Sequence, residues 1–390
     1  MIWTRNRPEG MLYRDADQSW DGLTLFCSVT GHHATLLNPE GEIVHRWHHS
    51  EGIQHAKLLE NGHLLIHTKP FRHSEGRERT GGSAGALMEL DWDSNVLWAY
   101  RNPAMHHDFA RLPGGNHVVL TWYPVPDKYR CLVQGGHHHE SEGDVMWGDV
   151  ILEVDCSGRE VSRWNSWEHF DPALDVICPL ESHKEWSHAN SLSITPQGDY
   201  LVSFRLTSQV LIIDRHSGAI KWRYGTEDER LEIGLSHQHA ATWLNNGNIL
   251  IFDNGCHRPR APSFSRIIEV NPESREIEWK YQADVMLAFY SFMCSGASRL
   301  PNGNTFITEA ATGRLFEVTP AGETVWEYVS PFTYRSRFGH SPVVFRSYRY
   351  ALDDARFGGR ELDPANHSEL NELIRTGNVP YDYAEPIRRR

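Results

Sequence analysis

The chain has 390 residues, 39% of them hydrophobic and 23% charged, and its 38 Lys and Arg against 51 Asp and Glu give a formal net charge of −13. That balance disfavours wrapping a nucleic-acid backbone, where basic side chains must replace counterions, and disfavours docking on an anionic membrane surface. No window of about 18 apolar residues occurs, so no transmembrane helix is predicted.

The first ten residues are polar and charged, without the basic start and apolar stretch of a secretory signal, and a cytoplasmic location is expected. Six scattered cysteines (Cys27, Cys131, Cys156, Cys178, Cys256 and Cys294) contain no CxxC pair and are expected to be reduced. The 24 histidines are unusually many, and 14 Trp, 14 Tyr and 15 Phe supply bulky core material.

From the N-terminal side, Leu23 to His49 reads as strands around the turn TLLNPEG, ending at Trp47. A new pattern then repeats. Each unit opens with a hairpin whose turn carries a glycine: LLENGHLLI around Gly62, RLPGGNHVVL around Gly115, ITPQGDYLV around Gly198, WLNNGNILI around Gly247 and RLPNGNTFI around Gly303. Each closes with a second hairpin and a tryptophan-bearing strand, at Trp98, Trp164, Trp222, Trp279 and Trp326. Asn, Asp, Pro and Gly between β-rich runs are hairpin chemistry, because they tolerate the dihedrals of tight turns. Four-stranded units at 47 to 66 residues predict β-propeller blades. Five units are complete between Gln54 and Tyr328. The sixth is split, with SPVVFRSYRY (341–350) returning to supply its first strand.

The prediction is an all-β fold: a six-bladed β-propeller over 1–350, closed by N-terminal strands pairing with a C-terminal strand, followed by a polar extension over 351–390. The blade tryptophans are assigned to packing between blades. Two insertions, 124–149 and 167–186, are long enough to be lids or interaction segments. The GGHHHES run at 135–141 reads as a solvated loop and the basic tip Arg388 to Arg390 as a frayed terminus.

The innermost strand of a blade precedes the glycine turn, and counting eight residues back gives Gln54, His107, Asn190, His239 and Ser295. His188 and His237 lie two positions earlier than Asn190 and His239, hence on the same strand faces. Histidine and asparagine in one register of separate blades are poorly explained by core packing and point to a site in the propeller channel. His340 is a further channel candidate.

The wording of these segments, HHDF at 106–109, WSHANS at 186–191, SFR at 203–205 and QHAATWLNNGNILIFDNG at 238–255, resembles the arylsulfate sulfotransferases that need no activated sulfonucleotide. The resemblance runs from about Leu23 to Tyr350. It implies a six-bladed propeller that moves a sulfuryl group from an aryl sulfate to a phenol through a histidine. By motif, His239 matches the nucleophile, while His107, His188, Asn190 and Arg205 match residues around the sulfuryl group. Best-known members have a disulfide near the active site; no closely spaced cysteine pair precedes His239 here.

Residue chemistry fits on its own terms. Sulfuryl transfer spreads negative charge over three oxygens, as phosphoryl transfer does. Arg205 brings a planar fork of donors, Asn190 an amide, and His107 or His188, if protonated, a proton for the leaving phenolate. Tyr290 is a candidate substrate contact, and Arg205 has the competing role of pairing with an acidic neighbour. The expected partners are a small aryl sulfate and a phenol, with no cofactor. The alternative is a metal-dependent lyase or hydrolase, with a divalent ion on His107, His188 and His239 and Asp108, Asp253 or Tyr290 in support. Asp253-Asn254-Gly255 is otherwise read as a turn that helps orient the nucleophile. A non-catalytic interaction propeller is the third reading.

Overall fold

The computed structural model describes residues 8–29, 31–70, 81–138, 145–225, 234–258, 261–336 and 339–379. Among them lie six blade sheets, four of four antiparallel strands and two carrying a fifth strand, the blades of a six-bladed β-propeller. The chain folds into two compact units: Met1–Lys69, Ala86–Arg101 and Cys294–Arg390 form one, and Pro70–Gly85 with Asn102–Met293 the other.

The first unit carries blades 1, 2 and 6. In blade 1 the C-terminal strand Val344–Ala351 pairs antiparallel with Gly22–Ser28, putting Leu23 opposite Tyr350 and Leu25 opposite Tyr348. His33–Leu37 and Ile43–His48 complete that sheet, so the ends of the propeller meet in one blade as the repeat count predicts. Gly10–Arg14 was not foreseen. It pairs with the outer strand Thr324–Val329 and gives blade 6 a fifth strand. The extension after Ala351 is packed rather than loose over its described part. Its helix Ser368–Arg375 buries Leu370 and Ile374 in the core shared by blades 1 and 6, and Asn371 bonds both the amide (2.8 Å) and the carbonyl (3.1 Å) of Ile43.

The second unit carries blades 3, 4 and 5, whose inner strands are Met105–Arg111, Ala189–Ile194 and His239–Trp243. Val118, Leu120, Leu192 and Phe204 pack between blades 3 and 4, and Leu201, Ile212, Ile249 and Ile268 between blades 4 and 5. The two insertions pair with each other: Gly135–His137 runs parallel to Ile177–Ser182. The GGHHHES run lies partly in that strand, and residues 139–141 are outside the described segments, as is the basic tip.

The tryptophans explain how neighbouring blades are joined. Trp164 Nε1 donates to the Gly218 carbonyl at 2.9 Å, Trp222 to Pro272 at 2.9 Å, and Trp326 to Pro39 at 2.8 Å. Each acceptor sits in the outer turn of the following blade. Trp47 meets that same turn of blade 2 edge-on, through Trp92 at 5.0 Å. Replacing Trp164 with Phe removes the N–H, and an effect of at least about 1 kcal/mol is expected for a partly buried hydrogen bond. The check is the denaturant midpoint, which falls while the slope stays unchanged.

Candidate active site

The inner strands of blades 3, 4 and 5 all begin irregularly. Their pairing to the second strand slips near His107, at Asn190 and just after His239, so each start carries extra residues as a β-bulge. Bulges re-aim side chains, and here they coincide with left-handed backbone: φ is 49° at His107, 57° at His188, 57° at His237 and 52° at Ala240. Residues without glycine's freedom adopt this conformation at a cost of about 1 kcal/mol or more, sustained where surrounding structure enforces it.

Two buried aspartates do much of that enforcing. Asp108 accepts from the amides of Phe109 (2.8 Å) and Leu192 (3.0 Å), tying blade 3 to blade 4. Asp253 accepts from the Ser236 amide and pairs with Arg258 (2.9 Å) and Arg266 (2.7 Å). Both carboxylates are therefore engaged as struts, and for Asp253 this agrees with its reading as part of a turn beside the nucleophile. Gln238 knits blade 5 to blade 4, its amide donating to Ser203 Oγ and to the Phe204 and Gln209 carbonyls.

Around these struts the predicted residues gather. The His107 and His188 rings lie 4.6 Å apart between centroids. His107 is held well below its ordinary pKa by burial first, then by the charges of His188, His106, His239 and Arg205. That direction favours the neutral imidazole, so of the two candidates for a protonated donor His107 is the less suited. His106 Nδ1 is 2.8 Å from His107 Nδ1, and His106 Nε2 is 3.4 Å from Asp149. Burial pushes the Asp149 carboxyl up to about 8, although the Ser187 hydroxyl and the Ala189 amide donate to it. His188 Nδ1 makes a very short contact with Glu185.

His239 is buried, its Nδ1 2.7 Å from Asn254 Oδ1 and 3.2 Å from the His237 carbonyl. Asn254 Nδ2 donates to the Ser291 carbonyl at 2.7 Å, which fixes the amide's orientation. Asn190 is anchored by donating to the Gln238 carbonyl at 2.7 Å. Arg205 does pair with an acid: Glu181, from the second insertion, accepts from Nη1 at 2.7 Å. Burial opposes ionising Glu181, but the His237 bond and the Arg205 and His237 charges prevail and hold it at about 2. Tyr290 lies on the Cys256 side, 3.8 Å from its sulfur, with a phenol raised by burial and by Cys256. His340 is exposed in the other unit. Among the described residues, the ligand atoms that converge within 4.8 Å are those of Cys178, His237 and His257, not the three-histidine set His107, His188 and His239.

Sequence reasoning missed His106, Asp149, Glu181, Glu185 and Gly82. A Cβ on Gly82 would lie 2.2 Å from the His107 ring, and its φ is 72°, so glycine alone fits where this backbone passes the imidazole. The usable signals were the Glu three residues before His188 and the doubled glycine in TGGSAG at 80–85.

The sequence matches the family described as Arylsulfotransferase (ASST) over residues 55–331, well over half of the chain. No curated protein matches it. Among solved structures, a protein of unknown function from Bacteroides caccae aligns with a TM-score of 0.52 at 17% identity, covering 85% of this chain and 99% of that one. At that identity the likeness concerns the fold. A virginiamycin B lyase from Staphylococcus aureus aligns with a TM-score of 0.45 at 11% identity, over 83% of this chain and 84% of that one.

Asp149 supplies a test of the buried network. The folded chain holds its proton more tightly than the unfolded chain, so its contribution to stability is full below pH 3.8 and is lost as pH rises through about 8. Asp149→Asn is expected to flatten that decline, read from melting temperatures of both proteins between pH 4 and 8. Parallel profiles would contradict a protonated Asp149.

Proposed function

The chain belongs to the arylsulfotransferase family, and we propose that it carries a sulfuryl group from an aryl sulfate to a phenol by way of His239. The observation that carries this reading is the surroundings of His239 Nδ1. Two carbonyl oxygens face that nitrogen, Asn254 Oδ1 and the backbone oxygen of His237. A nitrogen facing two acceptors carries the hydrogen, which leaves the lone pair on Nε2. Nε2 attacks sulfur, the sulfur–oxygen bond to the aryl group breaks, and the phenolate departs. The acceptor phenol then loses its proton and attacks sulfur, breaking the N–S bond and returning the neutral imidazole.

His107 serves this chemistry as a neutral donor. In the tautomer in which His106 carries its hydrogen on Nδ1, it donates to His107 Nδ1 at 2.8 Å. The hydrogen of His107 is then on Nε2, available to a sulfuryl oxygen. His188, oriented by Glu185 through Nδ1, has Nε2 to give or take the proton of the phenol oxygen. Arg205 and Asn190 supply donors for the developing negative charge, each worth roughly a hundredfold in rate for groups of this kind. Glu181 holds the Arg205 fork by one nitrogen and so sets its direction.

The test is release of nitrophenolate from p-nitrophenyl sulfate with and without a phenol acceptor. Acceptor-dependent release is expected from the wild type and none from His239→Asn. Absence of release from the wild type across several acceptors would overturn the reading. A second variant probes the tautomer. Asn254→Ala leaves Nδ1 with one acceptor, and kcat is expected to fall roughly 10- to 100-fold, the usual effect of removing a partner that orients a histidine. An unchanged kcat would remove Asn254 from the mechanism.

A further inference from the structure

Beside the sulfuryl site lies a second cluster, in which the Cys178 thiol and the His237 and His257 rings have no part in the proposed transfer and Glu181 links the two sites through Arg205. Cys178 Sγ is 3.6 Å from His257 Nδ1, and Glu181 Oε1 is 3.7 Å from that nitrogen and 3.2 Å from His237 Nε2. The ligand atoms of Cys178, His237 and His257 all lie within 4.8 Å of one another. Tetrahedral zinc, with bonds of about 2.0 to 2.3 Å to nitrogen, oxygen and sulfur, separates its ligand atoms by roughly 3.3 to 3.8 Å. The three separations of 3.6, 3.7 and 3.2 Å lie close to such edges, and the remaining pairs among Cys178, His237 and His257 stay within 4.8 Å.

We propose that Cys178, His237, His257 and Glu181 form a binding site for a divalent transition metal of the zinc class. The atoms around the cluster are arranged as such a site requires. His237 Nδ1 is 3.1 Å from the Cys256 carbonyl, which takes its N–H and turns the Nε2 lone pair toward the cluster. That is the second contact a metal-bound histidine generally makes. The Arg205 guanidinium on Glu181 does the same for the carboxylate. One thiolate, two imidazoles and a carboxylate are a donor set suited to zinc, and a poor one for magnesium or calcium, which take oxygen ligands. The Cys178 thiol gives up its proton to solvent as the metal–sulfur bond forms. His237 is buried while the His257 side chain is 34% exposed, leaving one side through which an ion can enter.

The four ligands come from three places: Cys178 and Glu181 from the second insertion, His237 from the start of blade 5's inner strand, and His257 from the loop after Ile249–Asp253. A bound ion therefore staples the insertion to blade 5. It also fixes Glu181, the partner of Arg205. The site differs in every ligand from the three-histidine set and needs no sulfuryl substrate to be tested.

The experiment is titration of chelator-treated full-length protein with Co2+. One ion per chain is expected, with a thiolate-to-cobalt charge-transfer band and a higher melting temperature that Zn2+ reproduces. Cys178→Ser should abolish the band while circular dichroism stays unchanged, and His257→Ala should weaken binding at least tenfold. His188→Asn should bind as the wild type does. No binding, binding without the charge-transfer band, or binding lost in His188→Asn but kept in Cys178→Ser would each overturn the site. The p-nitrophenyl sulfate assay reads sulfuryl transfer separately, so either conclusion can fail without the other.

Discussion

A β-sheet of four strands has two faces to bury, and within each compact unit neighbouring blades pack face against face. The interaction on which that arrangement depends is the indole N–H of one blade's outer strand reaching the turn carbonyl of the next, from Trp164 to Gly218, Trp222 to Pro272 and Trp326 to Pro39. In blades 3 to 5 these bonds fix the outer rims, while apolar side chains fill the space between the sheets. Strain at the inner ends is then tolerable. Left-handed histidines at 107, 188 and 237 persist because Asp108, Asp253 and Gln238 hold the backbone on either side.

Much of this was legible in the sequence because it repeats. Glycine turns and tryptophan strands recur often enough to count blades, and counting back from the turn reached His107, Asn190 and His239 without any structure. The parts that escaped occur once each. Gly10–Arg14 pairs along an edge that no repeat announces. Glu181 and Glu185 come from or just beyond an insertion strand whose partner lies some forty residues earlier. Asp149 gives no hint of its proton in sequence, since its raised pKa arises from burial in the fold. Arg205 illustrates the limit from the other side. The motif identified its position, while only the fold revealed the acid that holds it.

The resulting site has a consistent electrostatic character. Burial and the neighbouring charges hold the His107 ring well below its ordinary pKa, and burial raises the Asp149 carboxyl behind His106. Negative charge is supplied at the margin, by Glu181 and Glu185, against a guanidinium and an imidazole.

The pairing of Val344–Ala351 with Gly22–Ser28 also governs biosynthesis. Residues 22–48 leave the ribosome before any other blade, yet their sheet lacks its inner strand until all the other blades have been made. Blades built from neighbouring sequence can assemble as they appear, whereas blade 1 must wait with an open strand edge. Only once that last strand has been made can blade 1 complete its sheet and cover the open edge of Gly22–Ser28.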